Sequence, residues 1–88
     1  MAVYVDDMRA KYGQMIMCHM TADSTDELLQ MADRIRVKRK WIQNAGHPTR
    51  EHFDICLTKR ALAVQLGAVE VTQRDMAKQR IHRKEGIL

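Results

Sequence analysis

Aromatic residues are scarce: Tyr4, Tyr12, Trp41 and Phe53 are the only ones in 88 residues. Met, Leu, Val, Ile and Ala must therefore fill the interior. Seven Met imply either an adaptable core or a surface on which copies of the chain pack as a homo-oligomer. Proline occurs once, at Pro48, which together with Gly46 breaks residues 44–50 into a loop. Two cysteines, Cys18 and Cys56, lie in apolar stretches and make no disulfide framework; they read as buried, reduced thiols. No apolar run approaches the length that spans a bilayer, and the N-terminus lacks a charged-then-apolar signal pattern. The expectation is a cytoplasmic protein with no membrane partner.

What is present fits one small soluble domain, with 45% hydrophobic and 30% charged residues. The net charge of +4 is unevenly spread. Residues 1–33 hold the acids Asp6, Asp7, Asp23, Asp26, Glu27 and Asp33 against the bases Arg9 and Lys11. The basic residues concentrate in two clusters, Arg34 to Lys40 and Arg74 to Lys84. Such clusters can attract nucleic acid or another acidic partner, or stand as solvated faces.

Ala2 to Val5 is β-branched and aromatic, as suits a strand, and ends at Asp6-Asp7. Residues 8–13 read as a polar connection. Met15 to Met20 is apolar on both faces, which predicts a central, covered strand and a buried His19. Ser24-Thr25-Asp26-Glu27 is a capping box, after which Leu28, Met31, Ala32 and Ile35 mark one helix face. Arg36 to Lys40 then meets the negative helix end. Trp41-Ile42 reads as a short strand or an anchor.

Residues 52–57 form the next strand, with Phe53, Ile55 and Leu57 on one face and His52, Asp54 and Cys56 on the other. Thr58 is then the expected cap of a helix from Lys59 to Leu66, with Gly67 past its end. Strand 68–71 completes a βαβ unit with parallel strands. Thr72 caps a last helix with Met76, Ala77 and Ile81 as a thin apolar stripe. The expected fold is α/β: a small mixed sheet of four to five strands with three helices and one βαβ unit. Residues 1–78 form the domain, and 79–88 a basic, frayed tail.

Four groups can converge: Asp6 with Asp7, His19, His52 with Asp54, and Lys59 with Arg60. His52, at the other end of its strand, fits less well and counts against a single site. Lys59 and Arg60 put two cations at the positive end of a helix dipole, an arrangement that an arriving anion relieves; two solvated side chains are the plainer account. Asp6, Asp7, Lys59 and Arg60 share one sheet edge if strands 2–5 and 52–57 are parallel. His19 and His52 with Asp54 or Asp6 suit acid–base work, because imidazole titrates near neutrality and a carboxylate fixes its tautomer. Two imidazoles and a carboxylate also suit a divalent metal, though no local ligand motif specifies one. Ordinary packed or surface histidines account for the same residues more plainly, and solvent exposure for His47. No phosphate-binding glycine loop or nucleophile elbow is present.

Val3-Tyr4-Val5-Asp6-Asp7, Gly13, Met17-Cys18-His19-Met20, Ala22-Asp23 with Glu27-Leu28, His52-Phe53-Asp54, Lys59-Arg60 and Gly67-Ala68-Val69-Glu70-Val71 together resemble domain-of-unknown-function family 4031. The likeness runs from residue 2 to about residue 78, and rests on the order and spacing of short pieces. Members are small bacterial and bacteriophage proteins with no assigned activity. The resemblance implies that His19 and the triplet His52-Phe53-Asp54 are parts of a shared pattern and form a site. Departures cluster in residues 36–40 and in the tail.

The leading expectation is a phosphate-containing ligand, a nucleotide or nucleic-acid end, held at Thr58, Lys59, Arg60 and Asp7. His19, His52, Asp54 and Asp6 supply acid–base chemistry in hydrolysis, with a divalent metal left open as cofactor. The alternative is a non-catalytic bacterial or phage accessory protein that binds nucleic acid or a protein partner through the basic clusters. Whether the chain is an enzyme stays open from the residues alone.

Overall fold

A computed structural model describes residues 2–87, with side chains described through Arg83. The strands are β1 (Val3–Val5), β2 (Ala10–Tyr12), β3 (Met15–Ala22), β4 (Phe53–Cys56) and β5 (Val69–Glu70). The helices are α1 (Thr25–Arg34), α2 (Leu57–Gln65) and α3 (Gln73–Ile87), with a 3-10 turn at Arg39–Trp41. The result is the expected α/β class: three helices and a mixed five-stranded sheet.

β3 is the centre. Met20 pairs with Val5 on one side and Phe53 on the other, and Met17 with Ala10 and Cys56. β1 and β2 therefore share one edge of β3, and β4 holds the other. The segment read as a polar connection thus contains a strand, paired through a tight hairpin at Gly13-Gln14. Gly13 sits at φ +62°, a conformation open to glycine at little cost. β4 and β1 are both antiparallel to β3, and β5 is parallel to β1, so β1, β4 and β5 point the same way. The β4–α2–β5 unit therefore has parallel strands, but β3 and β1 lie between them.

The two sheet faces differ. Val3, Val5, Cys18, Met20, Ala22, Phe53 and Ile55 face α1 and α2, and close with Leu28, Ile35 and Ala63 into the core. The opposite face carries Met15, Met17, His19, Thr21 and Asp54, and α3 packs over its Thr21 end. His19 is therefore half-buried, not sealed as a strand apolar on both faces would have it.

Helix ends follow local chemistry. Ser24 Oγ accepts the Glu27 N–H at 3.2 Å, as the capping box predicts. α1 closes with the Val37 N–H on the Ala32 carbonyl and the Arg36 N–H on that of Asp33. This puts Arg36 at φ +63°, where glycine is usual. Thr58 is not the cap of α2. The helix begins two residues earlier than expected, at Leu57, the flanking residue is Cys56, and no side chain caps it. Thr72 does cap α3, and Asp7 helps by accepting the Gln73 N–H at 2.9 Å.

Residues 79–83, expected as the start of a frayed tail, continue α3 and dock. Gln79 bridges Thr21 and the Ala22 carbonyl, and Arg83 donates to Thr25 and Glu51. The buried face of α3 is therefore Met76 with polar Gln79, Arg80 and Arg83, while Ala77 and Ile81 are exposed. The side chains of the tail from 84 on, and residue 88, lie outside the described residues. No helix among the described residues is long and apolar enough to cross a membrane.

Candidate functional site

β1 ends because Asp6 leaves the ladder. Its N–H still reaches the His19 carbonyl at 3.1 Å, but the next paired residue of that edge is Ala10, opposite Met17. Residues 6–9 are thus accommodated opposite Cys18 and His19 alone, a bulge that turns the Asp6 side chain inward. Asp6 Oδ1 accepts the backbone N–H of His19 at 2.9 Å, standing in for a strand carbonyl. Its Oδ2 lies 2.7 Å from His19 Nδ1. With 1% of its surface exposed, Asp6 is fixed by these bonds and one from the Met8 N–H.

Asp54 is directly opposite His19 in the β3–β4 register, so the two side chains share a face. His52, two residues before Asp54 on the same strand edge, joins them. Its backbone pairs with Gln43 through two hydrogen bonds that close the loop between them. His52 Nδ1 lies 2.6 Å from the Arg50 carbonyl. The two imidazoles meet edge to face, 5.3 Å between centroids.

These partners assign the tautomers. A carbonyl and a carboxylate accept but do not donate, so both Nδ1 atoms carry a proton, and in the neutral imidazoles both Nε2 atoms present lone pairs. Both Nε2 atoms face Asp54 Oδ1, His52 at 3.5 Å and His19 at 3.9 Å. That oxygen is buried and has no hydrogen-bond partner, whereas Asp54 Oδ2 accepts from Gln43 Nε2 at 2.7 Å. One ligand atom from each of His19, His52 and Asp54 lies within 4.8 Å of the others, and with neutral imidazoles all three are acceptors. A transition-metal ion takes such a donor set.

A cation lies beside this cluster that its position in the sequence did not single out. Arg80 of α3 has Nε and Nη2 buried without partners. Burial pushes its guanidinium pKa down, while Asp6 and Asp54 act against that shift. Read from the pattern, the signal was the i, i+3, i+4, i+7 spacing of Met76, Gln79, Arg80 and Arg83, a helix face written in polar letters.

The other expected ligand residues lie elsewhere. Arg60 Nε donates to the Asp6 carbonyl at 3.0 Å and its Nη1 pairs with Glu70 at 2.7 Å. Thr58 is exposed, Lys59 makes no side-chain hydrogen bond among the described residues, and Asp7 caps α3. His19, His52, Asp54 and Asp6 are brought together; Thr58, Lys59 and Asp7 are not part of that cluster. Cys18 faces the core, where burial and then Asp6 push its thiol up to about 11 against the pull of Arg60. It stays a packed thiol. Cys56, at the head of α2, is only half-buried.

One more charged group emerges only in three dimensions. Glu51, 1% exposed, accepts from the Gly46 N–H, Thr25 Oγ1 and Arg83 Nη2, tying the loop, α1 and α3 together.

The profile of a family described as "Protein of unknown function (DUF4031)" matches residues 3–83. No curated protein and no solved structure matches the chain.

Proposed function

The chain belongs to the DUF4031 family, and we propose that this member holds a divalent transition metal at His19, His52 and Asp54 and hydrolyses a phosphate-containing ligand there. The observation that carries this reading is the convergence of two Nε2 lone pairs and one unpartnered carboxylate oxygen. Acceptors with no donor between them repel, and a cation relieves all three at once. The separations of 3.5 and 3.9 Å are too long for hydrogen bonds. Donors on a tetrahedral zinc ion sit about 3.3 Å apart, so small ring rotations close the triangle.

The surrounding residues suit the task. Asp6 and the Arg50 carbonyl hold the imidazoles in the metal-binding tautomer, and Gln43 orients Asp54. Three protein ligands leave positions for water and substrate, and the metal supplies Lewis-acid activation of that water. Arg80, whose buried Nε and Nη2 have no partner, would turn these N–H groups to phosphoryl oxygens once a ligand enters the cluster and opens that packing. In the net reaction a water oxygen adds to phosphorus and the P–O bond to the leaving group breaks. One water proton goes to solvent, and the leaving oxygen regains one.

Binding through the basic clusters alone has less support. Arg39 is paired with Asp33, and Arg80 and Arg83 turn toward the sheet. The test is hydrolysis of bis-p-nitrophenyl phosphate and p-nitrophenyl phosphate by chelator-stripped protein, with and without Mn²⁺ or Zn²⁺. Metal-dependent turnover that Asp54→Asn abolishes is expected. Turnover that ignores both metal and Asp54 overturns the reading.

A further inference from the structure

The face of the sheet that α3 leaves uncovered is not flat. Beyond His19 and Asp54 it opens into a groove of about 560 Å³, floored by Met8, Ala10, Met15 and Met17 and rimmed by Tyr12 and Trp41. Asp54 belongs to both the groove and the metal-type cluster, and Gln43, which lines the groove, donates to Asp54 Oδ2. Groove and cluster therefore meet at Asp54.

We infer that this groove is the base-binding subsite of the same centre, taking the nucleobase of a nucleotide or strand end whose phosphate lies at His19, His52, Asp54 and Arg80. The inference rests on the hydrolytic reading above and narrows its substrate class. Four observations support a planar, anion-bearing occupant. Two of the four aromatics of the chain stand at the rim, Tyr12 72% and Trp41 61% exposed, although residues so apolar are normally covered. The floor is thioether, which is polarisable and adapts to a flat ring. Lys11 lines the groove and the Lys40 ammonium sits 5.3 Å over the Trp41 ring, so cations flank the path of a phosphate-bearing ligand. The volume lies in the range of small-molecule sites, which bury most of a ligand of nucleotide size. The hollow of about 270 Å³ between Ala2, Gln30 and Gly67 has no aromatic residue in its lining and none of the cluster residues.

Stacking on aromatic side chains tolerates any base and contributes enough per base to change affinity about 10-fold or more on removal. Trp41 is the sole tryptophan, so its fluorescence reports on the groove directly. The experiment titrates metal-loaded protein with AMP, with a 5′-phosphorylated dinucleotide and with ribose 5-phosphate, following Trp41 emission and calorimetric heat. AMP or the dinucleotide is expected to quench Trp41 and bind about 10-fold or more tighter than ribose 5-phosphate. Tighter binding of AMP identifies a free nucleotide, and of the dinucleotide a strand end. Tyr12→Ala and Met15→Ala should remove this advantage and leave ribose 5-phosphate and metal affinity unchanged. If metal and ribose 5-phosphate bind but the base adds nothing, the groove assignment fails and the hydrolytic reading stands. If neither metal nor any phosphate binds, the hydrolytic reading fails with it. If Tyr12→Ala instead converts a sedimenting dimer to monomer, the groove is a contact between copies and the inference is overturned.

Discussion

Asp6 grips His19 twice, taking its backbone N–H on one carboxylate oxygen at 2.9 Å and its ring nitrogen on the other at 2.7 Å. A single buried side chain thereby ends a strand and sets a tautomer. In Asp6→Asn the amide oxygen can still take the backbone N–H, while the NH₂ donates to Nδ1 and drives the ring proton to Nε2. Metal affinity should fall about 10- to 100-fold, with a stability loss of about 1–2 kcal/mol. Calorimetry with Zn²⁺ beside urea denaturation checks both, and unchanged metal affinity contradicts the assignment.

Arg80 and Arg83, one turn apart on α3, should fail in opposite ways. Arg83 pairs with Glu51 at 3.1 Å, both almost wholly buried, so Arg83→Met strands a carboxylate and should cost about 3 kcal/mol. Arg80 has buried N–H groups without partners, so Arg80→Met should leave stability within about 1 kcal/mol of the parent. It should cut phosphoester turnover about 100-fold, as removal of a preorganised charge stabiliser does. Denaturation and turnover measured on both variants separate the roles.

Glu51 also sets an acid limit. Burial pushes its carboxyl up, but the Gly46 N–H, Thr25 and Arg83 donate to the ionised form and hold it below the usual value of 4.5. A group depressed on folding contributes stability that is complete above its unfolded pKa and lost as pH falls through the folded one. Stability should therefore drop below about pH 4.5, and Glu51→Gln should flatten that slope. A wild-type slope in Glu51→Gln would place the acid limit on another carboxylate.

Arg36, at φ +63°, occupies the left-handed position that ends α1. Arg36→Gly removes that strain and should stabilise the protein by about 1 kcal/mol. A lower melting temperature in this variant would mean that the side chain has a partner worth more than the strain.

Much of this was legible in the residues. Alternation in 52–57 puts His52 and Asp54 on one face, and β3 register brings them to His19. Ser24 and Glu27 announce α1 because capping is local chemistry. Other features depend on distant chain. Thr58 has the chemistry of a cap, yet β4 hands over to α2 at Cys56, so the cations fall deeper in the helix and Arg60 turns to the Asp6 carbonyl and Glu70. The inner face of α3 escaped an apolar-stripe reading because what it covers, Thr21, Asp23 and Glu51, is polar and wants hydrogen bonds. Arg80 belongs to that face, so it hid among the basic residues of the tail.

Calorimetric titration of chelator-stripped protein with Zn²⁺ and Mn²⁺ tests the central claim most directly. One ion per chain should bind, and His19→Ala, His52→Ala and Asp54→Asn should each abolish it while the folded circular-dichroism spectrum persists. Absence of stoichiometric binding, or binding that survives all three substitutions, would contradict a metal centre at these residues.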